Sequence, residues 1–448
     1  MTAPGLRFAL LLFCLLPFGF LAAQTPVVPI PAATSAARSW TTTEGRAFQA
    51  TLVNVQGTQI LLRLPNGQQA TIPLLRLSLA DQVFVKNSMP AAPAAPLPPG
   101  ATPAARVSTV VPPEKRVWPT KVEVDSRAIE VKTVTEASAE KKYIYRSQSF
   151  EFTSDDKLAG SVMKEIARTF EATRALVQAL PWGVDPKPPV DLGYYQAKFY
   201  VDRDSYIAAG GPKNSGGVYF SGDRVFRVPF QSLGLEMRGK TWFKDMRYRN
   251  DTIVHEITHQ MMHEYLPFLP IWAIEGMAEY TRILPYNAGA FLEESHERGL
   301  KENIKQEQER GIPLNSLGPV MDHLKMTSAG WHERADNGGK EQSKLYLESC
   351  MLVYYFSHVD GDGKGTRFFK YLDKIKEARD AWDTFFKDPR VSLKPDGGFT
   401  YPSDLPLPSQ QKKDAYGIEQ LTVLLDGRDT TQIQKDVQEG FKKIGVRW

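Results

Sequence analysis

The sequence predicts an α+β domain over residues 117–448, preceded by a small all-β domain over residues 38–87. Three observations predict it. Short apolar runs separated by Gly and Asn turn residues crowd into the stretch before residue 88. The run Pro90-Ala91-Ala92-Pro93-Ala94-Ala95-Pro96-Leu97-Pro98-Pro99-Gly100 then reads as a semi-extended linker within residues 88–116. Beyond it, strand-like runs are interleaved with longer segments of helical apolar periodicity. An apolar content of 42% suits globular domains, and 448 residues suit two or three of them.

Residues 1–23 read as a secretory signal, with Arg7 as the positive region, Phe8 to Leu21 as the apolar stretch and Ala22-Ala23 before the cut. The stretch is short for a membrane-spanning helix, and no other segment approaches that length. The expected address is secreted or periplasmic, with no membrane span once the signal is removed. Signal removal takes Cys14 and leaves Cys350, which excludes an internal disulfide. Residues 24–37 form a Pro/Ala/Thr-rich linker. Three strand candidates follow at 47–55, 59–64 and 69–74, with turns at Gln56-Gly57 and Asn66-Gly67.

After the second linker, 117–136 and 142–152 read as strands, 158–180 as an amphipathic helix and 196–201 as a strand. Residues 216–220 and 224–230 read as strands, and Pro229 marks the latter as an edge. The tail from 417 is helical. Asp360-Gly361-Asp362-Gly363-Lys364-Gly365 opens like a calcium loop, but Lys364 and Tyr371 occupy its fifth and twelfth positions, so it reads as a turn. A net charge of +4 gives no footprint for nucleic acid or a membrane surface.

Chemistry concentrates between residues 255 and 280. His255-Glu256-Ile257-Thr258-His259 places two imidazoles one helical turn apart on one face, within reach of one metal ion. Glu256 is placed to take a proton from an activated water. Asn250 and Asp251 are N-cap candidates, predicting a helix over 251–265 and, past Pro267 and Pro270, a second over 271–283. Folding back, the second helix brings Glu275 and Glu279 toward the histidines. Either could be the third ligand; Glu275 is favoured, with Glu279 orienting a ligand histidine. His263 lies about 12 Å along the helix axis from His255, too far to join the same ion. His296, His323, His332 and His358 carry no motif. The competing reading of the pentad is a metal-free buried histidine pair.

These residues, with Trp272-Ala273-Ile274-Glu275-Gly276-Met277-Ala278-Glu279-Tyr280, resemble the gluzincin metallopeptidases, specifically the peptidase MA-like group of secreted bacterial proteins. The resemblance implies an α+β zincin-like metallopeptidase domain, Zn2+ held by His255, His259 and Glu275, and a peptide or protein substrate. It also implies an edge strand that pairs with substrate, placed here at 224–230. A tyrosine near the start of the apolar helix Lys344 to Phe356 would stabilise the oxyanion. Tyr346 is the candidate, with Tyr354 and Tyr355 as competitors.

Arg38-Ser39-Trp40-Thr41, the Asn66-Gly67 turn, Ile72-Pro73 and Leu77-Ser78-Leu79-Ala80-Asp81-Gln82 are similar to the first homology domain of an endocytic adaptor, a Src-homology-3-like barrel. That likeness implies a spacer or a module binding a protein or peptide ligand. The alternatives to a peptidase are a scaffolding protein with a structural or vestigial zinc site, and a zinc hydrolase of a non-peptide amide.

Overall fold

The computed structural model describes residues 37–41, 47–56, 59–73, 77, 85, 111–393, 399–408 and 413–447. The signal segment, most of both linkers and most of Leu77 to Gln82 lie outside these residues. The chain divides into two compact units, one in the N-terminal region and one holding nearly everything after residue 100.

The first unit is a four-stranded antiparallel meander in sequence order: β1 (Arg38–Thr41), β2 (Ala47–Gln56), β3 (Gln59–Arg63) and β4 (Gln69–Pro73). The Asn66-Gly67 turn joins β3 to β4, with Gly67 at φ +84°, a region that favours glycine. Alternation sends Leu52, Ile60 and Leu62 to one buried core with Trp40. The Trp40 indole N–H donates to the Ala50 carbonyl at 2.9 Å, which satisfies the one polar atom that burial would strand. Strand β1 was not expected as a strand; four residues are too few to show a period.

The second unit is mixed α/β with a helical C-terminal part. It begins earlier than expected: Arg116, assigned to the linker, makes a two-pronged bond to Asp373 at 2.7 and 2.8 Å. Residues 117–136 are strand only at β5 (Val122–Glu123) and in the start of β6 (Lys132–Ala137). The hairpin β7 (Lys142–Arg146) and β8 (Phe150–Ser154) follows, then helix α1 (Gly160–Ala179) and β9 (Tyr195–Tyr200). After α2 (Arg203–Ala208) come β10 (Val218–Phe220) and β11 (Val225–Pro229).

These strands form a six-stranded sheet ordered β10-β11-β9-β8-β7-β6. Phe170 of α1 packs edge-on against Phe150 and Phe152, with ring centres 5.2 and 5.1 Å away. The expected edge strand is corrected here. β11 lies inside the sheet, parallel to β9 and antiparallel to β10, so the edge is β10. Pro229 ends β11 and caps the 3-10 turn Phe230–Leu233, where its missing N–H interrupts no ladder.

A hairpin, β12 (Leu235–Arg238) and β13 (Thr241–Lys244), leads into α3 (Asp251–Met261) and α4 (Ile271–Ile283). Then follow α5 (His296–Glu309), α6 (Val320–Leu324), α7 (Ser328–Ala335), α8 (Gly339–His358) and α9 (Thr366–Lys387). The tail holds α10 (Lys413–Glu419), α11 (Leu421–Leu425) and α12 (Thr430–Lys443). Asp360, in the calcium-like turn between α8 and α9, pairs with Arg428 at 2.7 Å and Arg367 at 3.1 Å, which accounts for its charge without a cation. Cys350 is buried and free. No helix of the described residues is long and apolar enough to cross a membrane.

Candidate metal centre

Helix α3 carries the pentad. Its apolar residues Ile253, Val254, Ile257 and Met261 face the core, which fixes the opposite rows. Asn250 precedes it, but its side chain makes no capping bond; its amide oxygen accepts from Lys244 Nζ at 3.0 Å. Other bonds hold the helix instead. Gln260 Nε2 donates to the Gln196 carbonyl of β9 at 3.0 Å. Thr258 and Thr281 hydroxyls meet at 2.7 Å and clip α3 to α4. That clip sets the register that brings Glu275 opposite the histidines.

The structure brings the expected residues together. His255 Nε2 and His259 Nε2 are 3.0 Å apart, and Glu275 Oε2 lies 3.3 and 3.4 Å from them. Donors bound tetrahedrally at zinc distances stand about 3.3 Å from one another. Glu275 Oε2 is buried and makes no well-formed hydrogen bond, so an acceptor is left facing two ring nitrogens. The donor set therefore fits a metal ion. Glu279 Oε1 stands 2.9 Å from His255 Nδ1, the other ring nitrogen, and Glu279 is tied in turn to Arg282 Nε at 2.8 Å. A carboxylate in this place can turn a ligand imidazole toward a metal.

Charge balance follows from the same packing. Burial opposes the His255 cation, but the facing Glu275 and Glu279 carboxylates outweigh it and hold the group up at about 10. Burial would raise Glu275, yet the facing His259 and His255 rings keep it well below the usual carboxylate range. Metal binding must then displace a proton from His255.

Gly276 sets the depth of α4. A Cβ there would stand 2.5 Å from the Ser349 carbonyl oxygen and 2.6 Å from Val353 Cγ2, both on α8. The close helix contact at Gly276 is therefore made to α8. Gly276→Ala would push α4, and Glu275 with it, away from α8. We expect about 1–3 kcal/mol of lost stability and weaker metal retention, read by melting with and without a chelator. An unchanged melting temperature would show that the helices part freely.

Glu256 faces the sheet edge. Its Oε2 accepts from the Tyr219 N–H of β10 at 2.7 Å. Burial pushes its carboxyl up, against the opposing pull of His255 and His259. His263 lies beyond the end of α3 and meets the Tyr219 hydroxyl at 2.9 Å, away from the ligand triangle. The Tyr346 ring lies 5.9 Å from the His255 ring, and the Glu275 carboxylate and burial push its hydroxyl up. Its competitors make other contacts: Tyr354 packs against His358, and the Tyr355 hydroxyl donates to Asp360.

Sequence reasoning missed two clusters. Glu293, His296 and His358 form a second group whose donor atoms could hold a metal ion. There the Tyr280 hydroxyl donates to Glu293 at 2.7 Å and lies 2.7 Å from His358 Nε2. The two imidazoles stack with centres 3.7 Å apart and 12° between planes, so their in-plane lone pairs run side by side. Of the two groups, the one at His255 has donors that converge. In the other cluster, His323 sits 2.7 Å from Ser349 Oγ and 2.8 Å from Glu348 Oε2. This has the order of a nucleophile triad, but Ser349 is 0% exposed, so the cluster ties α6 to α8. No local spacing announces either cluster, because the partners lie up to 78 residues apart.

No known protein family matches the chain, and no curated protein shows significant similarity to it.

Proposed function

We propose that the chain is a secreted zinc-dependent metallopeptidase, with the larger unit a zincin-like domain and the N-terminal meander part of a Src-homology-3-like barrel. The observation that carries the proposal is the convergence of His255, His259 and Glu275 on one point with Glu256 beside it. Three protein ligands leave a fourth position free, the arrangement of catalytic zinc sites. Bound zinc supplies Lewis acidity, acidifying water and polarising a carbonyl.

The chain's own residues do the rest. Glu256 takes the proton of the attacking water and returns it to the leaving amine. Its raised affinity for a proton suits that shuttle. The Tyr219 N–H engages one of its oxygens and fixes its orientation. Tyr346, kept protonated by the neighbouring carboxylates, donates a hydrogen bond to the developing oxyanion. Glu279 and Arg282 hold the His255 ring in place. β10, the sheet edge beside Glu256, would run alongside an extended peptide.

An open position separates this reading from a structural zinc site. The zinc-loaded chain is expected to bind a small hydroxamate, and Glu275→Ala to lose that binding. A chain with one tightly held zinc that never binds the hydroxamate would support the scaffolding reading.

A further inference from the structure

A cavity of about 500 Å3 opens at the N-terminal end of α3, and none of His255, Glu256, His259 or Glu275 lines it. Its walls come from α1, the segment between β13 and α3, the end of α4, and α5. Six cations line it: Arg168, Lys244, Arg247, Arg249, Arg282 and Arg298. Only Glu165, Asp251 and Glu302 oppose them among the lining residues.

The pairing can be followed residue by residue. Glu165 is taken by Arg168, Asp251 by Arg249 at 3.0 Å and Glu302 by Arg298 at 4.0 Å. Arg247 leans on Asp245, and Arg282 on the buried Glu279. Lys244 is left over. Its ammonium donates to the Asn250 amide oxygen and makes no ion pair with a described residue. Burial pushes it down to about 8, more than the nearby Asp245 and Glu165 carboxylates hold it up. Tyr286, half-buried, supplies apolar wall beside Lys244.

We propose that this cavity is a binding site for a small organic anion, with a phosphate or carboxylate head on Lys244 and an apolar body against Tyr286. A volume of this size suits a ligand of a dozen or more heavy atoms. The anion supplies Lys244 with a contacting counter-charge, which no described carboxylate gives it. It stands independent of the peptidase reading.

The test is calorimetric titration of the full chain with phenyl phosphate, with phenol as the neutral analogue. Phenyl phosphate is expected to bind. Lys244→Met should weaken it about tenfold or more, the effect of one charge-assisted bond, while Lys244→Arg should largely keep it. Glu275→Ala, which impairs the metal centre, should bind phenyl phosphate as the parent does. Equal affinity in Lys244→Met, equal affinity for phenol, loss of binding in Glu275→Ala, or no binding at millimolar phenyl phosphate would each overturn the proposal.

Discussion

Glu256→Gln is expected to keep its zinc and lose about a hundred- to ten-thousandfold in peptide turnover, the usual contribution of a general base. The substitution is nearly isosteric, and its amide oxygen can still accept from the Tyr219 N–H that holds Glu256 at 2.7 Å. Neither the fold nor the ligand triangle of His255, His259 and Glu275 depends on the charge removed. What disappears is the site that receives a proton. Zinc content measured beside turnover separates the two effects. Near-normal turnover in Glu256→Gln would remove Glu256 from the chemistry.

Glu275→Ala is expected to bind no zinc in competition with a moderate chelator, whereas Glu279→Ala should bind one zinc about ten- to hundredfold more weakly. The two carboxylates are one helical turn apart, yet they meet different atoms of the histidines. Glu275 faces both Nε2 atoms at 3.3 and 3.4 Å, and Glu279 faces His255 Nδ1 at 2.9 Å. The first position completes a donor triangle, and the second orients one of its corners. The opposite order of losses would make Glu279 the ligand.

The site was legible because its chemistry is local. Two histidines at i and i+4 define a face by helix geometry alone, and Pro267 and Pro270 mark where the next helix starts. α4 runs Ile271–Ile283, as that reading expected. α3 ends sooner, at Met261, because the Met262 N–H bonds back to both Thr258 and His259 carbonyls and tightens the last turn. The choice between Glu275 and Glu279 could not be read from periodicity, since both share a face. It depends on the Thr258–Thr281 clip, a contact between helices. The sheet edge was misassigned because β10 has only three residues, too few to show alternation, while β11 shows it plainly. The Tyr280–Glu293–His296–His358 cluster has no signature in sequence: its members meet only when α4, α5 and α8 pack together.

The most direct measurement is cleavage of an unbiased peptide library by the zinc-loaded full chain, run beside Glu256→Gln. The account predicts cuts with the intact chain that vanish with the variant, and their positions would give side-chain preference and end specificity together. An uncut library with one zinc bound, or the same cuts from both proteins, would contradict the claim that His255, Glu256, His259 and Glu275 form a peptidase centre.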